Sequence, residues 1–248
     1  MYEERKYRQS MGTDRFRSFS VSYFETDLWI GVDRSSYCLD MEEFVLKEIR
    51  SLRKELDDYI HKDKAFAGSL SPIKNSADMP QIAKDMTEAA GRAGIGPLGA
   101  VAGAFSQYIG RSVAEKFNVK EIAVENGGDI YLKIQDEINI FVYAGDSPLS
   151  QKVGICVPKE YSPLGICTSA GRVGHSFSYG NADAVMVACK DTLLADAYAT
   201  ALGNMIKKES DIDKVLEKAN SIKEILAIVI ICNDKMGIRG EFQLEVIN

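Results

Sequence analysis

Residues 164–204 read Leu-Gly-Ile-Cys-Thr-Ser-Ala-Gly-Arg-Val-Gly-His-Ser-Phe-Ser-Tyr-Gly-Asn-Ala-Asp-Ala-Val-Met-Val-Ala-Cys-Lys-Asp-Thr-Leu-Leu-Ala-Asp-Ala-Tyr-Ala-Thr-Ala-Leu-Gly-Asn. Two short apolar runs, Leu164–Cys167 and Ala184–Cys189, have the length of buried strands. Between them lies a loop rich in hydroxyls and glycine that holds His175, one of two histidines. The second run feeds a helix over Thr192–Lys207. Loops braced by rigid elements are where chemistry usually sits.

The same reading extends outward. Arg15–Val32 alternates in two stretches and predicts a strand pair with one wet face. Met41–Lys62 repeats apolar residues at helical spacing and predicts an amphipathic surface helix. Asp63–Asp78 reads as a loop. Asp78-Met-Pro-Gln81 has capping-box spacing and opens a helix to about Ala90. A second helix follows over Pro97–Phe117. Ile130–Ile134 and Ile138–Tyr143, joined by Gln135-Asp-Glu, read as a hairpin. Further strands are expected at Val153–Val157, Ile225–Cys232 and Ile238–Val246, with a short helix at Asp211–Ala219. Hairpins and helices are interspersed, which predicts an α+β fold. Two mainly antiparallel sheet units flanked by helices should hold a pocket between them. The 248 residues suffice for one domain with a real core, or for two intertwined subdomains.

With 36 acidic and 30 basic residues the net charge is −6, which argues against a nucleic-acid surface. The charged start, Met1-Tyr-Glu-Glu-Arg-Lys-Tyr-Arg-Gln, lacks the apolar core of a signal peptide, and Ile225–Cys232 is too short to cross a bilayer. Five widely spaced cysteines without a C-x-x-C pair read as reduced, mostly buried thiols. The expectation is a cytoplasmic chain with no membrane partner.

Three constellations stand out. Asp196, Ala199, Thr200 and Gly203 share a helix face, so a carboxylate and a hydroxyl one turn apart converge on one point. Oxygen ligands with small neighbours suit Mg²⁺; the same face also suits hydrogen bonds to a nearby loop or to solvent. Gly99, Gly103, Ser106 and Gly110 form a side-chain-poor stripe, which either admits a ligand or another backbone or packs tightly on a sheet or subunit. Glu125-Asn-Gly-Gly-Asp129 suits a loop that lets a nucleotide touch main chain, and equally a plain turn. In the Thr168–Asn181 loop, His175 is an acid/base candidate as well as a structural hydrogen-bond partner. A Cys167–His175 nucleophilic pair is disfavoured because no orienting third residue is present, and zinc is disfavoured because no ligand triad is.

Taken in order, these pieces resemble the ApbE-like superfamily, best known for FAD:protein FMN transferases. They are more closely similar to a shorter, cytoplasmic branch of it. The branch pattern is matched by Glu25-Thr-Asp-Leu28, Gly96-Pro-Leu-Gly-Ala-Val-Ala-Gly103, Glu125–Asp129, Cys167-Thr-Ser169, Gly174-His-Ser176, Ala182-Asp-Ala184 and Ala195-Asp-Ala-Tyr-Ala-Thr200. Resemblance to the transferases themselves is confined to the Gly-Gly-Asp, Thr-Ser and Asp-Ala-x-Ala-Thr pieces. It implies Mg²⁺ ligation by Asp196 and Thr200 with a main-chain carbonyl. It also implies FAD or FMN at Gly127, Gly128, Asp129, Thr168 and Ser169 and the loop around His175. The implied activity is Mg²⁺-assisted cleavage or transfer at a pyrophosphate. One departure is that the glycine-rich segment, where transferases carry a lysine, here reads Ala100-Val-Ala-Gly-Ala-Phe. That leaves open a non-enzymatic flavin or nucleotide binder, or a different small-molecule reaction in the same cleft. Homo-oligomerisation, served by the Gly99–Gly110 stripe, is compatible with the sequence.

Overall fold

The computed structural model describes residues 5, 7, 8, 11, 14–171 and 180–247. Its organising feature is the set of long apolar runs. In Ala184–Cys189 and Ile225–Cys232, alternate residues face opposite sides of one sheet, and both sides are buried. Val185, Val187, Ile228 and Ile230 join one core, while Ala184, Met186, Val229 and Ile231 join another. A strand apolar on both faces needs a cover on each face, and the fold supplies three layers.

Among the described residues, eight strands form the middle layer. They are β1 (Phe16–Tyr23), β2 (Thr26–Asp33), β3 (Ile122–Asn126), β4 (Asp129–Lys133), β7 (Leu164–Ser169), β8 (Ala184–Cys189), β9 (Ile225–Cys232) and β10 (Lys235–Gly240), in that spatial order. A second sheet, ordered β11 (Gln243–Val246), β6 (Val153–Val157) and β5 (Ile138–Phe141), covers one face. Every strand pair in both sheets is antiparallel. The other face packs helices α1 (Asp40–Lys62), α3 (Gln81–Ala93), α4 (Val101–Lys116), α5 (Thr192–Gly203) and α6 (Ile212–Asn220). The α+β architecture of two antiparallel sheets with flanking helices is as the sequence predicts.

Several local expectations are corrected. Ile130–Ile134 and Ile138–Tyr143 do not form a hairpin: β4 pairs with β3 and β7, and β5 crosses to the second sheet to pair with β6. The Gln135–Glu137 crossing is held instead by the Ile134 N–H donating to Ser162 Oγ (2.8 Å) and the Gln135 N–H donating to Glu121 (2.7 Å). β2 is buried on both faces rather than one. A five-residue helix, α2 (Lys64–Gly68), interrupts the Asp63–Asp78 loop and is capped by the Asp63 carboxylate. Pro80, not Asp78, caps α3, and Asp78 pairs with Lys62 instead. The Pro97–Phe117 helix begins as a 3₁₀ turn over Pro97–Ala100 before α4 proper, and α5 ends at Gly203.

The glycine stripe is occupied by the chain's own core. A Cβ on Gly110 would stand 2.1 Å from the Tyr131 ring, and one on Gly103 would stand 2.6 Å from the Thr192 carbonyl oxygen and 2.8 Å from Asp196 Cβ. Both positions are therefore closed to a partner subunit. Gly91, also helical, has nothing within 4 Å of such a Cβ. Gly110→Ala should cost about 1–3 kcal/mol through overpacking. Gly91→Ala should instead gain about 0.4–1 kcal/mol by restricting the unfolded chain. Urea unfolding of both variants checks the contrast, and equal effects at the two sites would contradict it.

Candidate functional site

One end of the large sheet is built to hold something. The β3–β4 connection is a two-residue turn, and both central residues have positive φ (Gly127 +67°, Gly128 +102°). Glycine adopts those values without strain, as a tight hairpin needs. The Glu125 carboxylate fixes the turn by accepting the Gly128 N–H at 2.7 Å. Asp129 opens β4 opposite Cys167 of β7, and the Thr168 N–H donates to the Gly128 carbonyl at 3.1 Å. The turn, Asp129, Thr168 and Ser169 therefore share one sheet end.

Helix α5 is brought against this end by α4. The Asp191 side chain caps α5 by accepting the Leu194 N–H. Gln107 of α4 clamps the same terminus, donating to Asp191 (2.8 Å) and accepting the otherwise orphaned Thr192 N–H (2.8 Å). One turn further, Asp196 Oδ2 accepts the Gly103 N–H at 2.8 Å. Asp196 and Thr200 then line a cleft of about 1790 Å³ together with Gly127, Gly128, Asp129, Thr168 and Ser169. That exceeds the roughly 300–1,000 Å³ of most small-ligand sites and leaves room for a dinucleotide-sized molecule. Apolar walls extend it between the two sheets, with Trp29, Leu132 and Met186 on one side and Ile138 and Ile140 on the other.

The electrostatics of the inner end are unusual. Asp129 and Asp196 are both buried; Cys167 and the Thr168 N–H lie against the Asp129 carboxyl, but its Oδ1 has no hydrogen-bond partner among the described residues. Burial, and then the neighbouring Asp196, push the Asp129 carboxyl well above the ordinary carboxyl range. Burial lifts Asp196 to about 7, against the opposing N–H groups of Gly103 and Ala102. Two interacting carboxyls without a cation hold protons that a divalent ion would displace. The donor set is all oxygen, with Asp129, Asp196 and the Thr200 hydroxyl on one wall, and it suits a hard cation that keeps part of its water. Among the described residues, no group of three or more His, Cys, Asp or Glu is arranged to hold a metal ion by itself.

The structure thus brings Gly127, Gly128, Asp129, Thr168, Ser169, Asp196 and Thr200 to one cleft. His175 lies outside the described residues. Cys167 is fully buried and donates to the Thr192 carbonyl at 3.4 Å; burial and the adjacent Asp129 and Asp196 raise its pKa far above the ordinary thiol range. A neutral, enclosed thiol is no nucleophile.

The sequence reading missed the N-terminal residues beside this turn. Arg8 pairs with Glu125 (2.6 Å) and Asp27 (3.0 Å), and Tyr7 donates to Glu125 (2.8 Å). Arg5 donates to the Asp27 carbonyl at 2.7 Å. In the sequence this charged stretch reads only as not being a signal peptide, and nothing local in it signals these pairings.

A family model described as AbpE bacteria matches residues 8–238. A UPF0280 protein of Methanocaldococcus jannaschii is 39% identical over 222 residues, covering 88% of each chain. A UPF0280 protein of Methanococcus aeolicus is 38% identical over 225 residues, covering 89% of each. Among solved structures, the apo flavinyl transferase ApbE of Pseudomonas stutzeri superposes with a TM-score of 0.57 at 14% identity, covering 90% of this chain and 93% of that one. The ApbE protein of Thermotoga maritima gives 0.56 at 15% identity, covering 91% and 97%. At these identities the structures share a fold with this chain.

The raised carboxyls set a pH signature. Folded Asp196 keeps its proton up to about 7, whereas the unfolded chain releases it near the ordinary carboxyl value. Its contribution to stability is therefore complete below that value and is lost as pH rises toward about 7. In EDTA, the melting temperature should fall across this window, and Asp196→Asn should flatten the fall. Added Mg²⁺ should raise the wild-type melting temperature more at pH 8 than at pH 5. A Mg²⁺ effect equal at both pH values would contradict the assignment.

Proposed function

The chain belongs to the AbpE bacteria family, and from that premise we propose that its cleft binds FAD or a related nucleotide diphosphate with Mg²⁺ and cleaves or transfers at the diphosphate. The observation that carries this reading is the unpartnered, buried Asp129 Oδ1 beside Asp196 on the cleft wall. A carboxyl pair so placed is costly to leave charged without a counter-ion. The diphosphate of a nucleotide brings one in as its Mg²⁺ complex. Asp129, Asp196 and Thr200 would hold the cation, which would neutralise the carboxylates and polarise the diphosphate oxygens.

The chain's own groups supply the rest. The Gly127–Gly128 turn exposes main chain for a close approach, and the Thr168 and Ser169 hydroxyls offer hydrogen bonds. The apolar space between the sheets takes a planar ring system and excludes water from it. With FAD, an acceptor hydroxyl attacks the FMN-side phosphorus and forms a new phosphoester. The anhydride P–O bond breaks, AMP leaves with the bridging oxygen, and the hydroxyl proton passes to solvent or a base. If water is the acceptor, the products are FMN and AMP.

A second reading, a flavin or nucleotide binder without turnover, is favoured by one observation: Gly96–Gly103 presents only glycine, proline and aliphatic side chains to this region. AMP release from FAD with Mg²⁺, with and without hydroxyl-bearing acceptor proteins, decides between the two. Turnover should appear in the wild type and fall about a hundredfold or more in Asp196→Ala and Asp129→Asn. FAD-dependent thermal stabilisation without AMP would select the binder, and no response to any nucleotide or flavin would overturn both.

A further inference from the structure

Two guanidinium groups stand near the Gly127–Gly128 turn, and their surroundings differ. Arg8 is committed. Its Nε and Nη1 make short ion pairs to Glu125 (2.6 Å) and Asp27 (3.0 Å), and its Nη2 donates to the Asp27 carbonyl at 2.8 Å. Those two carboxylates are almost fully buried and are satisfied further by Tyr7, Ser22 and the Gly128 N–H. Arg5 is not committed in this way. Its Nη1 donates to a neutral acceptor, the Asp27 carbonyl, while its distances to the Asp27 and Glu125 carboxylates are 3.5 and 4.0 Å. No acceptor for its Nε or Nη2 is found among the described residues.

Arg5 is also placed where a ligand would meet it. It lines the same cleft as Asp129 and Asp196, and Nη2 lies against the turn: a Cβ on Gly127 would stand 3.2 Å from it. The side chain is 24% exposed, so its charge is partly desolvated without being enclosed. Guanidinium donors in a partly desolvated cleft are well matched to phosphate or carboxylate oxygens. Besides Arg53 with its partners Glu25 and Asp57, the charged lining of the cleft thus includes the carboxyl pair and, at the Gly127 turn, the Arg5 guanidinium.

We propose that Arg5 is a ligand-binding residue whose guanidinium holds the diphosphate of the cleft's ligand at the Gly127–Gly128 turn. Arg8 is a positioning residue in this scheme. It fixes Glu125, and through Glu125 the turn, so that Arg5 remains available. The proposal rests on the diphosphate reading above and names a residue that binds it.

Titration calorimetry in Mg²⁺ buffer tests it with three probes: FAD, inorganic diphosphate, and riboflavin, which has no phosphate. Arg5→Ala should weaken FAD and inorganic diphosphate about tenfold or more while leaving riboflavin unchanged. Arg5→Lys should recover part of the loss. Wild-type FAD affinity should fall more steeply with added KCl than that of Arg5→Ala. If Arg5→Ala melts well below the wild type, Arg5→Lys and Arg5→Gln, of similar reach but different charge, replace it: lysine must bind diphosphate more tightly than glutamine. Wild-type affinity for FAD and diphosphate in Arg5→Ala, or in Arg5→Gln, overturns the proposal and leaves the nucleotide reading standing. Diphosphate binding that depends on Arg5, without FAD binding, supports the proposal and overturns the nucleotide reading. A wild type that takes neither probe overturns both.

Discussion

The hydrogen bond from the Gly103 N–H to Asp196 Oδ2, 2.8 Å long, ties the helical layer to the cleft. It forms because α4 and α5 approach closely, and that approach requires glycine at 103, where a Cβ would meet the Thr192 carbonyl at 2.6 Å. Gln107 holds the same helix pair one turn away through the α5 terminus. Helix capping, a glycine contact and a buried carboxyl thus belong to one arrangement. Its consequence is that Asp196 sits beside Asp129 away from bulk water.

Burying two carboxyls together is expensive, and proteins rarely do it without a return in binding or catalysis. Nearby, the fold satisfies buried acids: the Asp27 and Glu125 carboxylates are met by Arg8, Tyr7, Ser22 and the Gly128 N–H. Asp129 Oδ1, one turn of chain from Glu125, receives none of this. The contrast lies within a single structural neighbourhood, so it cannot be put down to loose packing. On the reading proposed above, the inner end of the cleft is where a cation would complete the structure.

Much of this was legible in the sequence because the governing rules are local. Ile225–Cys232 reads as a strand, as found, and Asp196 and Thr200, one turn apart, read as sharing a helix face. The double glycine at 127–128 announced a turn with positive φ. What failed depended on long-range pairing. The Gln135–Glu137 link looks like a hairpin, yet both edges of β4 are taken, one by β3 just before it through the Gly127–Gly128 turn and the other by β7, which comes only after β5 and β6 in the chain. The glycine stripe was read correctly as a close-approach surface, but only the packed structure shows that Tyr131 and α5 fill it. The role of Arg5 and Arg8 left no local trace, since a charged tail and a charged clamp have the same composition. His175, the acid/base candidate from sequence, lies outside the described residues.

The central claim is that Asp129 and Asp196 form a cation site whose ligands are already positioned. Soaking crystals with Mn²⁺ and collecting anomalous diffraction tests it most directly, because Mn²⁺ accepts the same oxygen ligands as Mg²⁺. The account predicts a peak within about 2.0–2.4 Å of carboxylate oxygens from both residues, lost in Asp196→Ala. A cleft without a peak at saturating Mn²⁺, at a pH above 7 where Asp196 has released its proton, would contradict it.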